Sequence, residues 1–403
     1  MFFELVFPRK IIFGAGRRVD LGLQVCGIGG RVILISGSRS LDRNGILRAV
    51  ICNLESAGVE IIAAKNISSE PDTSVVDGFV SELLSGKLSN GKFDGLVVVS
   101  VGGGSAIDFG KAIAAMITQK RSVDVSIRDY LEGVGSGLKL VEPPLPVVAV
   151  PTTAGTGSEA TKNAVISSSA ADVSAGFGLF KKSLRDERLI PRLVLIDPEF
   201  TLSCPKRVTA ESGMDAVTQL FESYVSKRHQ PLTDALVEQG LSYAFRGLPL
   251  LVGEPDNLAA RSDVAYAALL SGVTLANAGL GMAHGVAPAL GMHCNITHGA
   301  ACALMLPPTL KANAIVCSQQ YAQLARRLLK LDQKISDKKA TDLLINFVES
   351  LCRQLGTPEK LSDLNINKES IPKIAKDSKG SSMSGNPREL TEEDVIEILE
   401  SIQ

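Results

Sequence analysis

The first half of the sequence alternates short runs of β-branched residues with longer stretches of helical spacing, and this alternation constrains the fold most. It predicts strands at 32–35, 60–63, 95–100, 146–150 and 193–196, with helices between them at 40–57, 75–84 and 106–116. Parallel strands need a long crossover connection, which is usually a helix. The pattern therefore predicts an α/β fold in which helices cover a parallel sheet.

After Asp197 the pattern changes, because apolar residues now recur at i, i+3 and i+4 and strand signals become rare. Helices are predicted at 206–228, 234–246, 258–278, 321–329, 339–355 and, capped at Thr391, 390–402, with a loop at 379–387. A chain of 403 residues is long enough for two domains. We expect an α/β domain over residues 1–200 and an all-α domain over residues 201–403.

Charge and composition exclude several classes of protein. The 42 basic residues are balanced by 43 acidic ones, so a net charge of -1 provides no field that attracts nucleic acid. The N-terminus lacks the basic start and unbroken apolar run of a signal peptide, and the apolar runs are shorter than the roughly 20 residues that cross a bilayer. The 7 cysteines form no C-x-x-C pair. We expect a cytoplasmic protein with no nucleic-acid or membrane partner.

Two glycine-containing segments follow predicted strands. Residues 102–105 read Gly-Gly-Gly-Ser and open a helix, which is where backbone N–H groups and the helix dipole favour a phosphate. Residues 150–161 carry five hydroxyl side chains and two glycines after the next strand. Either segment alone is also compatible with a purely structural turn or loop. Two of them at strand ends favour a nucleotide site, since ligands bind there in open α/β sheets.

The histidines are clustered. Three of the four fall within 15 positions, namely His284, His293 and His298. Upstream, Asp215, Gln219 and Glu222 share one helical face at i, i+4 and i+7. One carboxylate and two imidazoles suit a divalent transition metal, whereas a lone histidine is more often a hydrogen-bonded core residue. The metal interpretation requires Asp215 to lie close to His284 and His298 in space.

Nearly the whole chain resembles the iron-containing, or group III, alcohol dehydrogenases. The resemblance depends on five segments, at 102–108, 151–161, 196–199, 213–216 and 283–299. It implies a dehydroquinate synthase-like architecture, with an N-terminal dinucleotide-binding domain, a helical domain, and metal and nicotinamide in the cleft between them. It also implies roles for named residues. Those implied to bind the cofactor are Gly102, Gly103, Gly104, Ser105, Asp108, Thr152 and Thr153, and those on metal-ligand positions are Asp215, His284 and His298.

The chain departs from the family pattern at two positions of the metal site. Most members have a fourth histidine ligand where this chain has Gln219, and an amide oxygen is a weaker donor than an imidazole. We therefore expect Gln219 to be a weak ligand or to orient a bound water, and a site that has lost its metal is the alternative. Many members also have a proton-relaying histidine where this chain has Pro288, and His293 is the candidate substitute.

The end of the first predicted strand bears on cofactor choice. Members that prefer NAD usually carry an aspartate where this chain has Gly37, because a carboxylate binds the ribose hydroxyls and repels a 2′-phosphate. Ser38 and Arg39 instead provide a hydroxyl and a positive charge suited to phosphate. This predicts NADP(H) over NAD(H), unless Arg39 is simply a solvated residue at a helix start.

Together these features predict a metal-dependent alcohol dehydrogenase or aldehyde reductase that transfers a hydride between NADPH and a small aldehyde or ketone. The metal is expected to be Fe²⁺ or Zn²⁺. Two alternatives stay open: a dehydroquinate-synthase-like lyase, and a nucleotide-binding protein with a degenerate metal site. A homodimer is expected, because residues 2–13 read as extended strands that could pair with a neighbouring chain.

Overall fold

The structure is a computed structural model, which describes residues 3–37, 39–120 and 125–403. Ser38, predicted to bind the cofactor, lies outside the described residues. The strands in the described part are β1 (Ile11–Phe13), β2 (Arg31–Gly37), β3 (Glu60–Ile67), β4 (Leu96–Gly102), β5 (Val147–Pro151), β6 (Asn163–Ser167), β7 (Lys181–Arg185) and β8 (Leu193–Ile196). Six of them form one sheet in the order β1-β8-β5-β4-β2-β3, and every pair in it is parallel.

Helices cover both faces of this sheet. They are α1 (Leu21–Cys26), α2 (Arg39–Arg43), α3 (Ile46–Ser56), α4 (Thr73–Ser85) and α5 (Gly104–Gln119). Along β2, Ile33 and Ile35 pack with α4 and α5 in one core, whereas Val32 and Leu34 pack with α1 and α3 in another. Because side chains alternate along a strand, a strand buried on both faces must be apolar at every position. This is why β2 and β4 are mostly apolar, with residues 32–35 and 96–99 as their continuous apolar stretches, and it confirms the predicted parallel α/β fold.

The remaining helices follow residue 169, and most of them form the second half of the chain. They are α6 (Ala170–Ser174), α7 (Lys206–Val225), α8 (Pro231–Gly253), α9 (Leu258–Ala278), α10 (Met282–Cys294), α11 (His298–Leu328), α12 (Asp337–Leu355), α13 (Ile371–Asp377), α14 (Ser381–Gly385) and α15 (Glu392–Glu400). The described chain divides into two compact units, one of residues 6–153 and 158–203 and the other of residues 1–5, 154–157 and 204–403.

Several element predictions need correction. The helix predicted at 40–57 is two helices, because Gly45 adopts a left-handed φ of 71° and interrupts it. The loop predicted at 379–387 contains the short helix α14, and the antiparallel hairpin β6–β7 was not predicted. Helix α11 has the length and hydropathy of a membrane span, and 72% of its apolar window is buried inside the protein.

A buried lysine fixes the chain that follows the hydroxyl-rich segment. Lys111, on α5, is 0% exposed, and its Nζ donates to the carbonyl oxygens of Ser158, Thr161 and Asn163 at 2.5, 2.7 and 3.0 Å. Burial lowers the pKa of Lys111 to about 8, although the negative charge of Asp108 opposes this. One cation therefore holds residues 158–163 against α5.

We expect Lys111→Met to reduce the free energy of unfolding by about 3 to 5 kcal/mol, because it leaves buried carbonyl oxygens without a donor and Asp108 without a cation. Urea denaturation measures this change. Lys92→Met, at an exposed position of the same unit, is the control and should change stability by less than about 0.5 kcal/mol. Equal stability of the two variants would contradict the anchoring role.

Candidate functional site

Helix α7 supplies three polar side chains to one buried position. Asp215, Gln219 and Glu222 lie on the face predicted from their spacing, and each is no more than 2% exposed. Burying a carboxylate is unfavourable unless charged or hydrogen-bonding partners surround it. The neighbours of these residues therefore decide whether the position is a functional site.

Two further helices each bring a histidine to Asp215. His284 lies in the first turn of α10, and its Nε2 is 3.0 Å from Asp215 Oδ1. His298 is the first residue of α11, and its Nε2 is 3.8 Å from the same oxygen. Asn295, in a left-handed conformation with a φ of 52°, ends α10 and allows the chain to turn between the two histidines. The structure thus brings together the three residues on which the metal prediction depends.

A fourth donor at this position was not predicted. Cys302 follows His298 by one helical turn on α11, and its Sγ is 3.5 Å from His284 Nε2 and 3.6 Å from His298 Nε2. Ligand atoms of Asp215, His284, His298 and Cys302 all lie within 4.8 Å of one another. The i, i+4 spacing of His298 and Cys302 is a usable sequence signal, because such residues share a helical face.

Glu222 orients His284. The Nδ1 of His284 donates to Glu222 Oε2 at 2.6 Å, and the backbone N–H of Ala283 donates to Glu222 Oε1 at 2.6 Å. When a carboxylate accepts a hydrogen bond from one ring nitrogen, the proton of the neutral imidazole stays on that nitrogen. The other nitrogen then keeps the lone pair with which it can bind a metal. The sequence placed Glu222 on the correct helical face but did not indicate this role.

Gln219 makes hydrogen bonds through both ends of its amide. Its Nε2 donates to Asp215 Oδ1 at 3.0 Å and to the carbonyl oxygen of Thr156 at 3.2 Å, and its Oε1 accepts from Ser271 Oγ at 2.8 Å. The side chain therefore lies beside the donor cluster and holds Asp215 in place. The expectation that Gln219 binds metal or orients water stays a prediction.

Burial and neighbouring charges shift the pKa values of the groups in the cluster. Burial alone raises the pKa of Asp215, but the positive charges of His298 and His284 outweigh burial and hold this pKa below its usual value. Burial alone lowers the pKa of His284, but the negative charges of Cys302, when ionised, and of Glu222 raise it well above its usual value. Burial raises the pKa of Cys302 to about 12. The donor set of one carboxylate, two imidazoles and a thiol fits a divalent transition metal.

His293 lies on a different side of α10 from His284. Nine residues separate the two histidines, which corresponds to about 13 Å along the helix axis and half a turn around it. The Nε2 of His293 is 2.6 Å from Asp377 Oδ2, a hydrogen bond that joins α10 to α13. This geometry does not favour a proton-relay role, and that role stays an untested prediction. Pro288 lies one turn after His284 within α10.

In the other unit, the strand order reverses at one point of the sheet. Strands β2 and β4 are neighbours in the sheet. The strand that follows β2 in sequence, β3, lies beside β2 at one end of the sheet, whereas β5, which follows β4, lies on the opposite side of β4. The strand order therefore reverses between β2 and β4. Ligands of open α/β sheets bind at the carboxyl ends of the strands beside such a reversal. Gly37 ends β2 and Gly102 ends β4, and α2 begins at Arg39.

The glycines at this edge allow close backbone contact. A Cβ added to Gly102 would lie 2.8 Å from the nitrogen of Gly37, and one added to Gly103 would lie 3.0 Å from Thr153 Oγ1. Thr152 donates its backbone N–H to the carbonyl oxygen of Gly102 at 3.0 Å. Gly103 caps α5, so Gly104 and Ser105 form its first turn, whose N–H groups lack helical partners.

Asp108, by contrast, uses both carboxylate oxygens within the protein. It accepts hydrogen bonds from Ser158 Oγ and, at 3.1 Å, from the backbone N–H of Val165. Burial raises its pKa, and the nearby positive charge of Lys111 opposes that shift. The arrangement attaches α5 to β6. The cofactor-binding assignments of Asp108 and of the residues at the sheet edge stay predictions.

Comparison with known families supports the resemblance. The family described as "Iron-containing alcohol dehydrogenase" matches residues 8–198, and "Fe-containing alcohol dehydrogenase family, C-terminal" matches residues 209–403. A 1,3-propanediol dehydrogenase of Citrobacter freundii is 30% identical over 98% of this chain and 97% of its own length. A solved structure of 1,3-propanediol oxidoreductase has a TM-score of 0.89 and 28% identity, with both chains covered completely.

Relatives in this group differ in their cofactors. An NAD-dependent methanol dehydrogenase of Bacillus methanolicus is 30% identical over 98% of this chain and 98% of its own length. An NADPH-dependent butanol dehydrogenase of Clostridium saccharobutylicum is 28% identical over 99% of this chain and 97% of its own length.

We expect Glu222→Gln to weaken zinc binding by about 10- to 100-fold, because the amide no longer holds His284 with a charged acceptor. Competition with a chromophoric chelator measures the affinity. Glu238→Gln, on the partly exposed surface of α8, is the matched control and should bind zinc as the wild type does. Unchanged affinity in Glu222→Gln would show that this carboxylate does not support the metal centre.

Proposed function

Because the chain belongs to the iron-containing alcohol dehydrogenase family, we propose that it transfers a hydride between NAD(P)H and a small aldehyde or ketone at a divalent metal held by Asp215, His284 and His298. Membership makes it an oxidoreductase that acts on CH–OH donors with NAD(P). The observation that carries the proposal is the convergence of one carboxylate and two imidazoles from three helices on one small volume.

The protein's part in this reaction is to hold and to bury the reacting groups. When bound, a divalent ion supplies a Lewis acid for the carbonyl oxygen, and the nicotinamide supplies the hydride. Glu222 and Gln219 fix the ring of His284 and the carboxylate of Asp215, so that no reorientation is needed during the reaction. The side chain of His298 is 30% exposed whereas that of Asp215 is 2% exposed, so substrate approaches from the side of His298.

Proton transfer needs a route other than residue 288, because a proline side chain cannot carry a proton. We propose that the alcohol proton exchanges with water or with the ribose hydroxyls of the cofactor. His293→Ala should leave the pH profile of kcat/KM unchanged, since the ring of His293 is already paired with Asp377. A profile that loses a titrating group in this variant would assign the relay to His293.

We propose that NADP(H) is preferred over NAD(H). Support comes from Gly37, which removes the carboxylate that repels a 2′-phosphate, and from Ser38 and Arg39 beside it. Arg39 begins α2 directly after the end of β2, at the edge where the strand order reverses. The related dehydrogenases include both NAD-dependent and NADPH-dependent enzymes. Family membership therefore does not decide the cofactor, and the proposed preference rests on residues of this chain.

We expect Arg39→Ala to lower kcat/KM with NADPH by about tenfold or more and to leave kcat/KM with NADH within about twofold, because a charged hydrogen bond to phosphate contributes about 1.5 kcal/mol or more. Steady-state kinetics with both cofactors measure this. Arg43→Ala, at the end of the same helix, is the control. Equal losses with both cofactors would contradict a role in reading the 2′-phosphate.

Two other functions use the same two-unit architecture. A lyase that regenerates its nicotinamide within one cycle would consume no NADPH, and a nucleotide-binding protein with a degenerate site would bind cofactor without metal. Metal analysis of anaerobically purified protein, followed by NADPH oxidation on a panel of short aldehydes and ketones, separates the three. A stoichiometric amount of metal together with aldehyde-dependent oxidation of NADPH supports the dehydrogenase function. A protein that binds the cofactor without any turnover would overturn it.

We also propose that the protein is a homodimer in the cytoplasm. Strand β1 lies at one end of the sheet, and the side chains of Phe3, Leu5 and Phe7, just before it, are exposed. An exposed strand edge with apolar side chains is a surface that a second chain can cover.

A further inference from the structure

We infer that the thiolate of Cys302 is a fourth protein ligand of the metal centre and that the completed Asp-His-His-Cys set selects zinc over ferrous iron. The inference depends on the metal site of the proposed function. It adds a fourth ligand to that site, makes this ligand a thiolate, and identifies the metal as zinc. The resemblance to the family implies a fourth histidine ligand at residue 219, where this chain has an amide. The chain provides a different donor, a thiol, at residue 302.

The distances between donor atoms match a tetrahedral zinc site. Zinc bonds of about 2.3 Å to sulfur and about 2.0 to 2.2 Å to nitrogen and oxygen place sulfur and nitrogen ligands about 3.6 Å apart, and nitrogen and oxygen ligands about 3.4 Å apart. The Sγ of Cys302 lies 3.5 Å and 3.6 Å from the Nε2 atoms of His284 and His298. Those nitrogens lie 3.0 Å and 3.8 Å from Asp215 Oδ1.

The backbone holds Cys302 in position. It lies in the second turn of α11 and is 0% exposed, and its carbonyl oxygen accepts from Thr218 Oγ1 of α7 at 3.4 Å. This bond joins the helix of Cys302 to the helix of Asp215. The amide of Gln219, in contrast, already binds Asp215, Thr156 and Ser271. Binding of an ion by Cys302 would replace the contacts of its Sγ with His284 and His298, whose nitrogens would bind the same ion.

The thiolate changes the charge of the site. When the metal–sulfur bond forms, the thiol proton leaves to solvent, and the negative charges of Asp215 and Cys302 together balance a dication. Soft thiolate donors favour zinc, which also forms stronger complexes than Fe²⁺ in the general order of divalent ions. A site with a sulfur ligand therefore favours zinc over iron.

X-ray absorption at the zinc edge tests the inference in the full-length protein. Zinc-loaded wild type should show one sulfur scatterer at about 2.3 Å, and Cys302→Ala should show nitrogen and oxygen scatterers alone. Cys302→Ala should also bind zinc at least about 100-fold more weakly, since loss of a direct ligand costs no less than loss of a supporting group. In anaerobic competition, wild type should bind zinc more tightly than Fe²⁺. The ratio of the two dissociation constants should be closer to one in Cys302→Ala.

Two matched variants complete the experiment. Cys352→Ala removes another buried cysteine, on α12, and should keep the sulfur scatterer and the zinc affinity. Gln219→Leu should also keep the sulfur scatterer, whereas loss of a ligand in this variant alone would assign the fourth position to residue 219. Wild type that binds no zinc, or zinc without sulfur, overturns the inference. In that second case the thiol only donates to the imidazoles.

NADPH oxidation measured on the same samples separates this inference from the proposed function. Aldehyde-dependent turnover by a metal-loaded wild type without a sulfur ligand overturns the role of Cys302 and leaves the dehydrogenase intact. A sulfur ligand in a protein that does not turn over supports the role of Cys302 and counts against the dehydrogenase function.

Discussion

The helical unit is organised around one imidazole between two buried carboxylates. Asp215 and Glu222 lie on one face of α7 and have almost no contact with water, and the ring of His284 contacts both. Two negative charges cannot share an apolar interior without a positive group between them, which is either a protonated His284 or a metal ion bound to its Nε2. The packing of α10 against α7 is therefore fixed by an electrostatic requirement as well as by apolar contacts, and α11 adds His298 and Cys302 to the same position.

The α/β unit depends on a different constraint, which is steric. The ends of β2 and β4 approach each other so closely that the backbone at Gly37 and Gly102 leaves no space for a side chain on Gly102. The same close approach brings the N-terminus of α5 to the carboxyl edge of the sheet, beside Thr152 and Thr153. Glycine at these positions is thus required by the packing of the sheet, and this structural explanation is compatible with the proposed cofactor site.

The sequence predicts features that depend on neighbours along the chain. Strand β8 and helix α9 lie at the predicted residues, because β8 is a short apolar run and α9 is a long helix-forming segment between its caps at Asn257 and Gly279. The shared face of Asp215 and Glu222 follows from helical spacing. The roles of Lys111 and Cys302 depend on residues that only folding brings close. A single lysine in an apolar segment gives no sequence signal of such a role, and Cys302 gives only its i, i+4 spacing from His298.

Pro288 affects the main chain of α10 as well as its chemistry. A proline has no N–H, so it cannot give the carbonyl oxygen of His284 the hydrogen bond that a helix normally supplies from four residues later. The first turn of α10 is also attached to α7 through Glu222, which accepts from the backbone of Ala283 and from the ring of His284. With one helical hydrogen bond fewer around Pro288, the position of His284 depends more on this carboxylate than it would in an unbroken helix.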